Sequence, residues 1–359
     1  MNKNRIALGC AVALLCGFAS CGGGTSSADR EVPEVAVHVD SLPGDTLMLG
    51  YVGSITVRDS LLFLVDYGHA NQAEALVQLY SYPALRPLCR FVNRGKGPNE
   101  TLGMSGYVVD GDSVRVFVGW PPRMFVYGLA DLVRGERLPA RIIPYPEGPC
   151  SYASGFQKLD SGFVLTRFYG DPAVGRVIRI DSLGNVTGTY YSIPYRPEDL
   201  EQVADYGREM LATLWQAVAA ASGETVVLGT KLGDVLEIYN LRDSSLNRIV
   251  RGPDGPPEVE CDGNSIVFGV KSGYQALKIV GDRIYAMYRA ERFKDSDEPD
   301  SSGVKGSTLR VFDLDGNWLK SYMLDRPLHS FDILSDGRTV VAGDPTAEYQ
   351  LCTFTLPEE

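Results

Sequence analysis

The chain contains 359 residues, of which 44% are hydrophobic and 22% are charged, and its formal net charge is −11. This composition is typical of a globular protein with a sizeable core, and it excludes a disordered chain or a protein with many membrane spans. The excess of 45 acidic over 34 basic residues argues against a nucleic-acid partner, because a phosphate backbone requires a basic surface.

Residues 1–20 have the pattern of an export signal. Lys3 and Arg5 give a positive start, and residues 6–18 form an apolar run of thirteen residues. Such a run is too short for a permanent membrane span. The small residues before Cys21 resemble the lipobox of bacterial lipoproteins, in which this cysteine becomes the lipidated first residue. We therefore predict a lipoprotein signal peptide at 1–20 and lipidation at Cys21, with an ordinary secretory signal as the alternative.

Glycine, threonine and serine occupy positions 22–27, and residues 21–31 are therefore predicted to form a flexible tether. Loss of Lys3 and Arg5 with the signal leaves a mature net charge of −13. An anionic membrane would repel such a domain, so the lipid would have to supply the anchoring. No acidic residue follows Cys21 directly, and we expect the outer membrane with the protein facing the periplasm, surface exposure being the alternative.

A strand, a tight turn and a second strand recur six times in residues 32–359. The copies span 54–66, 106–117, 155–166, 216–228, 276–287 and 330–341, at steps of 49 to 62 residues. Turns such as Asp-Gly and Ser-Gly between alternating apolar residues are strong hairpin signals. A third and a more polar fourth strand follow most copies. Four antiparallel strands repeated radially predict an all-β, six-bladed β-propeller.

Two segments depart from this repeat. The sixth copy ends with the chain and lacks a fourth strand, so we predict that residues 35–39 supply it and close the ring. Residues 197–214 begin with acidic residues and then show apolar residues at helical spacing, which predicts a short helical insertion between blades three and four.

Several motifs resemble those of the TolB-like six-bladed propeller lipoproteins of Bacteroidales-type bacteria. The most specific is the loop at 94–100, RGKGPNE, and further similar segments lie at 234–240, 283–289 and 311–318. The resemblance covers the mature chain and implies a propeller fold in the cell envelope. It transfers no catalytic residue, because most of that family has no established biochemical activity.

Loops that follow second strands, and loops that join blades, emerge at one end of a propeller. Arginine forks suit carboxylates, and flat rings suit sugars or peptide side chains. On this basis the candidate ligand-binding residues are Tyr67, His69, Arg94, Lys96, Trp120, Arg123, Arg167, Tyr169, Lys231, Arg289 and His329. The alternative for each is packing between blades or pairing with a local acid.

Specific chemistry has little support in the sequence. The Gly95–Lys96–Gly97–Pro98 run lacks the Walker pattern, and we expect its glycines to supply positive φ at a corner between blades. The three histidines show no metal-ligand spacing, and no nucleophile elbow occurs, so no catalytic residue, metal ligand or cofactor is assigned. Cys89, Cys150, Cys261 and Cys352 remain open between buried thiols and one disulfide.

We therefore expect a lipid-anchored binding or scaffold module, rather than an enzyme. It would present a propeller face to an envelope protein, peptide or glycan, as a monomer that contacts the membrane only through its lipid. The alternative is a propeller-type hydrolase or lyase that holds a divalent cation such as Ca²⁺ in the central channel.

Overall fold

The structure is a computed structural model that describes residues 32–42, 52–67, 74–167, 175–196, 213–243, 247–262, 265–268, 272–289, 306–347 and 350–358. The predicted signal peptide, the tether, Cys21 and residues 197–212 of the predicted helical insertion lie outside this range. Thr213 and Leu214, at the end of that insertion, are helical. Within the described part of the chain, no helix has the length and apolar character needed to cross a membrane.

The described residues form six blades around a central channel. Two short strands come first, β1 (Glu34–Val37) and β2 (Asp40–Ser41). Blade one contains β3 (Val52–Arg58), β4 (Leu61–Asp66), β5 (Ala75–Ser81) and β6 (Pro87–Asn93). Blade two contains β7 (Gly106–Asp110), β8 (Ser113–Gly119), β9 (Pro122–Gly128) and β10 (Arg141–Pro144), with the short helix α1 (Leu129–Val133) before β10. Blade three contains β11 (Ala153–Lys158), β12 (Phe163–Arg167), β13 (Val177–Ile180) and β14 (Val186–Tyr190).

Blade four contains β15 (Ala217–Ser222), β16 (Thr225–Thr230), β17 (Val235–Asn240) and β18 (Asn247–Arg251). A separate hairpin, β19 (Val259–Asp262) and β20 (Ser265–Phe268), precedes blade five. Blade five contains β21 (Tyr274–Val280), β22 (Arg283–Tyr288), β23 (Thr308–Asp313) and β24 (Trp318–Leu324). Blade six contains β25 (Ser330–Ile333), β26 (Thr339–Gly343) and β27 (Leu351–Thr355). The predicted six-bladed fold is confirmed.

The first hairpin of every blade turns through a residue with positive φ. These residues are Asp59, Gly111, Gly162, Gly223, Gly281 and Gly337. Such backbone geometry matches the twist of the two flanking strands and is inexpensive for glycine and tolerable for aspartate. The recurring Asp, Gly and Ser residues of the sequence therefore fix where each blade begins.

The hydrophobic core lies between the blades. Phe63 and Val77 of blade one, for example, pack with Val116 and Phe125 of blade two. Corresponding clusters fill the other interfaces, including the one between blades six and one. Each blade therefore buries both of its faces, and this packing holds the ring closed.

The N-terminal segment closes the ring, as predicted, but with different residues. Strand β2 pairs antiparallel with β27 (Asp40↔Thr353) and gives blade six its fourth strand. The predicted strand 35–39 instead contributes to β1, which pairs parallel with β24 (Glu34↔Ser321) as a fifth strand of blade five. The segment thus covers the outer edges of two sheets.

A carboxylate fastens this segment where it crosses from blade five to blade six. The Val39 N–H donates to Asp325 at 3.0 Å, and His38 contacts the other oxygen of the same carboxylate. Burial alone would raise the pKa of Asp325, but the hydrogen bonds from His38 and Val39 outweigh it and hold the pKa below its usual value. We call the contacts of Asp325 with His38 and Val39 the Asp325 clasp. Val39 is fully buried between the two blades, so the Asp325 clasp also holds part of the core in place.

Buried ion pairs join neighbouring blades. Arg310 on β23 donates to Asp234, which directly precedes β17 of blade four, at 2.8 Å, and both side chains are buried. Its guanidinium carbon lies 3.5 Å from the ring centroid of Tyr288 and 4.5 Å from that of Trp318. Buried charges of this kind are tolerated only when they are paired and hydrogen-bonded. The pair therefore links blades four and five through a specific geometry.

Candidate functional site

The first strand of each blade faces a central channel. Strands β3, β7, β11, β15, β21 and β25 surround a cavity of about 940 Å³. Its wall is rich in small and polar residues, including Gly106, Gly155, Ala217, Ser54 and Gln157. Small side chains let the six strands converge and still leave an open space of the size that ligand cavities have.

The charge of the channel wall is opposite to that of the whole chain. The basic residues in the described wall are Arg58, Lys158, Lys231, Lys278, Arg289 and His329. No Asp or Glu side chain belongs to this part of the wall, although the chain carries a net charge of −11. The channel is therefore a basic cavity in an acidic protein.

Two of the lysines in the wall have counterions behind it. Lys278 lies 3.0 Å from the buried carboxylate of Asp332, and Lys158 pairs with Asp110. The second oxygen of Asp332 accepts the Val57 N–H at 2.7 Å, so this carboxylate is also committed to the strand backbone. Lys278 and Lys158 belong to the channel wall, whereas Asp332 and Asp110 do not.

Lys231 is in a different position. It directly follows β16, its side chain is open to solvent, and no carboxylate of the described residues lies within ion-pair distance of its amine. Protein atoms nevertheless surround much of this side chain, and the reduced hydration lowers the pKa of the amine. A cation with restricted hydration is a natural place for an anionic ligand.

We call the end of the channel at which the second strands end the channel mouth, defined by Tyr67, Lys231, Leu232, Ser272 and Arg289. Of the residues that the sequence predicted, Tyr67, Lys231, Arg289 and His329 line the channel. His69 and Tyr169 lie outside the described residues. Residues in the loops that follow second strands therefore identified part of the channel wall from the sequence.

Other predicted residues lie elsewhere on this end of the propeller. Trp120 is 63% exposed, and its ring stacks on Tyr152 with centroids 5.9 Å apart. Arg123 donates to the Glu100 carbonyl oxygen and covers the ring of Phe125. These contacts make Arg123 part of the loop packing.

The remaining predicted basic residues also stay outside the channel wall. Arg94 forms a backbone bridge to Thr101, and Lys96 is exposed in the loop between blades one and two. The backbone N–H of Arg167 donates to the Arg176 carbonyl oxygen at the end of β12. None of the three belongs to the described lining.

The expectation that Gly95 and Gly97 supply positive φ is wrong, since neither has it. The Glu100 carboxylate folds back over this loop and accepts the Gly97 N–H at 2.8 Å. A Cβ on Gly95 would collide with that carboxylate. The glycines are therefore needed for close approach, and the loop's own carboxylate occupies the place that an anion would take.

His329 lines the channel, but its hydrogen bonds join blades six and one, where the ring closes. It is buried, and its Nδ1 lies 3.1 Å from the Gly343 carbonyl oxygen. Burial lowers the pKa of His329 and outweighs the opposing effect of hydrogen bonds to the Val52 and Gly343 carbonyls. The imidazole is therefore neutral at physiological pH and bridges blades six and one.

A family model described as TolB-like 6-blade propeller-like matches residues 33–336. The chain belongs to this family. Its structure is similar to that of a member of the DUF4221 family from Bacteroides vulgatus, at 11% identity and a TM-score of 0.54 over 90% of this chain and 97% of that one. It is also similar to a putative exported protein from Bacteroides fragilis, at 12% identity and a TM-score of 0.50 over 91% and 99% of the two chains. The comparison with curated proteins gave no match.

The residues of this TolB-like propeller do not fit a calcium ion in the channel. Ca²⁺ takes several oxygen ligands, usually with carboxylates among them. The described wall contains no carboxylate. Among the described residues, no group of three or more His, Cys, Asp or Glu side chains could hold a metal ion. The described residues therefore offer no set of ligands for the alternative of a calcium-dependent hydrolase or lyase.

The cysteines whose side chains are described are free and buried. Cys89, Cys150 and Cys352 lie in three different core clusters. Burial raises the pKa of Cys150 and Cys352 to about 11. For these three residues the interpretation as buried thiols is confirmed.

Sequence reasoning missed the residues that reach the channel from the strands themselves. Arg58, Lys158 and Lys278 lie at or near the ends of first strands, and they line the wall. The signal was available, because the first strand of each propeller blade faces the channel. Polar and basic residues in these strands, not only in the loops, identify the wall.

Proposed function

We propose that this TolB-like propeller is a lipid-anchored binding protein of the cell envelope, and that it captures an envelope protein, peptide or glycan at the channel mouth. The family and the exported Bacteroides fragilis relative support a place in the envelope. The lipobox-like sequence before Cys21 supports the lipid anchor, and we place the protein on the periplasmic side of the outer membrane.

The exposed aromatic side chains favour the mouth end of the propeller as the binding face. The exposed large aromatic side chains of the described residues, Tyr67, Trp120 and Tyr152, all lie at the mouth end of the propeller, with Leu102 at the same end. The large apolar side chains exposed at the opposite end, such as Leu138 and Leu183, are aliphatic. Leu102 is 59% exposed and Trp120 is 63% exposed. Exposed apolar groups beside a concave polar cavity are the usual signature of a binding surface. Aromatic side chains also dominate the binding energy of protein interfaces.

The opposite end of the propeller supplies a matched control. Leu183 is 75% exposed in the turn between the third and fourth strands of blade three, which lies at the other end of the channel. The protein and its Trp120→Ala and Leu183→Ala variants would each be purified from the envelope with their associated molecules. We expect Trp120→Ala to lose the associated partner and Leu183→Ala to retain it. The reverse pattern would contradict the proposal.

The anchor is tested separately. We expect the wild-type chain to fractionate with outer membranes and a Cys21→Ser variant to be released in soluble form, because the substitution removes the thiol that would carry the lipid and an anionic membrane repels an acidic domain. Membrane retention of the Cys21→Ser variant would contradict lipid anchoring.

A further inference from the structure

The N-terminal segment enters the propeller from the end opposite the channel mouth. We call this end the basal end and define it by Leu138, Leu183 and Leu314, which lie in connections between third and fourth strands. Strand β1 pairs parallel with β24, the fourth strand of blade five, and β24 follows the turn that contains Leu314. Because paired parallel strands run in the same direction, the chain that leads into β1 comes from the basal end.

The chain between the predicted lipid and the propeller is short. Eleven residues, 22–32, follow Cys21, and a fully extended segment of this length spans at most about 40 Å. A lipid on Cys21 would therefore hold the propeller close to the membrane surface. The direction in which the chain enters β1 turns the basal end, rather than the channel mouth, toward the bilayer.

The basal end exposes aliphatic side chains. Leu183 is 75% exposed and Leu138 is 65% exposed, and Leu314 is also exposed. These three leucines belong to blades three, two and five, so they are spread around the ring. A protein interface needs a contiguous apolar centre, usually with aromatic side chains, whereas separate aliphatic loop tips can each enter the headgroup region of a bilayer. The pattern therefore favours a lipid surface over a protein as the occupant of this end.

The connection between α1 and β10 has the charge that suits such a surface. Residues 133–141 contain three arginines and one glutamate, although the whole chain has a net charge of −11. Arg134 is committed to ion pairs with local carboxylates, and the exposed Arg137 and Arg141 flank Leu138 in the sequence. Guanidinium groups beside an apolar tip match the phosphates that lie above the acyl chains of a phospholipid bilayer.

We propose that the basal end of the propeller rests on the phospholipid surface, with Leu138 and Leu183 in the headgroup region and the channel mouth turned away from the membrane. This inference rests on the proposed lipid anchor, and it adds a protein contact to the lipid that the sequence analysis expected to be the only contact. A few inserted aliphatic side chains bind a membrane weakly and reversibly, so they orient an anchored chain and do not replace the anchor. The orientation keeps the channel mouth open to a partner.

The test places the polarity-sensitive fluorophore nitrobenzoxadiazole at one end of the lipidated full chain at a time. Leu138→Cys carries it at the basal end, and Leu102→Cys, which replaces a leucine of similar exposure at the mouth end, is the matched control. Each chain is reconstituted into vesicles of phosphatidylethanolamine and phosphatidylglycerol that contain a nitroxide-labelled phospholipid. We expect the nitroxide to reduce the emission from position 138 by at least about twofold and that from position 102 by less than about 1.2-fold, because only a group within the bilayer surface meets the quencher.

A second basal position keeps the result interpretable. Leu183→Cys carries the fluorophore on blade three, and its quenching should agree with that at position 138 within about twofold. It replaces the first variant if Leu138→Cys does not fold, which circular dichroism would reveal. The wild-type chain treated with the same reagent gives the background from the native thiols.

Three outcomes would overturn the inference. These are quenching at position 102 without quenching at the basal positions, equal quenching at both ends, or quenching at neither end of chains that sediment with the vesicles. The proposed anchor fails in a different way, through wild-type chains that do not sediment with the vesicles at all. Partner capture is also separate, since it is measured by the loss of the associated molecule from Trp120→Ala.

Discussion

The buried pair between Arg310 and Asp234 provides a sharp test of how the blades hold together. Truncation of Arg310 to methionine keeps a similar volume and removes the charge and its hydrogen bond. Asp234 is fully buried and would remain with the Tyr274 hydroxyl, which donates to it at 2.9 Å, but without a counterion. The substitution therefore isolates the cost of leaving one buried charge unpaired.

The structure sets the expected size of the effect. Breaking a buried ion pair by removal of one partner costs about 3–5 kcal/mol. Loss of the two cation–π contacts, at 3.5 and 4.5 Å from the ring centroids, adds about 1 kcal/mol. We therefore expect Arg310→Met to lower the free energy of unfolding by about 4–6 kcal/mol. A single domain has only about 5–15 kcal/mol in total, so the variant should be close to unfolding.

Urea unfolding followed by far-ultraviolet circular dichroism measures this change. The Arg310→Met/Asp234→Asn double variant should recover part of the loss, because neutralising Asp234 removes the unpaired charge. Arg134→Met is the control, since its ion pair with Asp131 is exposed and should contribute at most about 0.5 kcal/mol. A loss of less than about 1 kcal/mol in the free energy of unfolding of Arg310→Met would contradict this reasoning. It would show that the Arg310–Asp234 pair contributes no more than an exposed ion pair does.

Three further predictions concern the Asp325 clasp, the buried thiols of Cys150 and Cys352, and Gly273. The folded-state pKa of Asp325 lies below its unfolded value, so the clasp stabilises the fold above about pH 4 and loses this effect as the pH falls. The melting temperature of Asp325→Asn should therefore lie below that of the wild type at neutral pH, and the gap should shrink at about pH 3; a constant gap would contradict this. With pKa values of about 11, roughly one in a thousand of the Cys150 and Cys352 thiols is ionised at pH 8. They should react with Ellman's reagent only after unfolding in urea, and rapid reaction in native buffer would show that they are accessible. Gly273→Ala should cost about 1–3 kcal/mol through its collision with backbone, whereas Gly103→Ala, which meets no atom within 4 Å, should be neutral in the same urea titration.

The repeat made the fold predictable from the sequence. Each blade has a local signal, because a hairpin needs alternating apolar residues and a turn residue such as Gly111 or Gly223. The partner of the N-terminal segment had no such signal. Alternation at residues 35–39 indicates a strand, but the choice of a parallel pairing with β24 depends on the burial of Val37 and Val39 between two blades.

The site was predictable only in part. Tyr67, Lys231 and Arg289 follow second strands, and topology alone places such residues at one end of a propeller. Whether a basic residue in a loop reaches the channel depends on packing that the sequence does not encode locally. Arg123, for example, turns to the Glu100 carbonyl. The absence of acidic residues from the described wall emerges only when six distant strands are brought together.

Photo-crosslinking in the native envelope tests most directly whether the channel mouth is the binding face. Benzoylphenylalanine would replace Tyr67, which lines the mouth, and in a second variant Leu183, which lies at the opposite end. The account predicts that ultraviolet light joins one defined partner to the protein from position 67 and that no such product forms from position 183. Crosslinking from position 183 alone would contradict it.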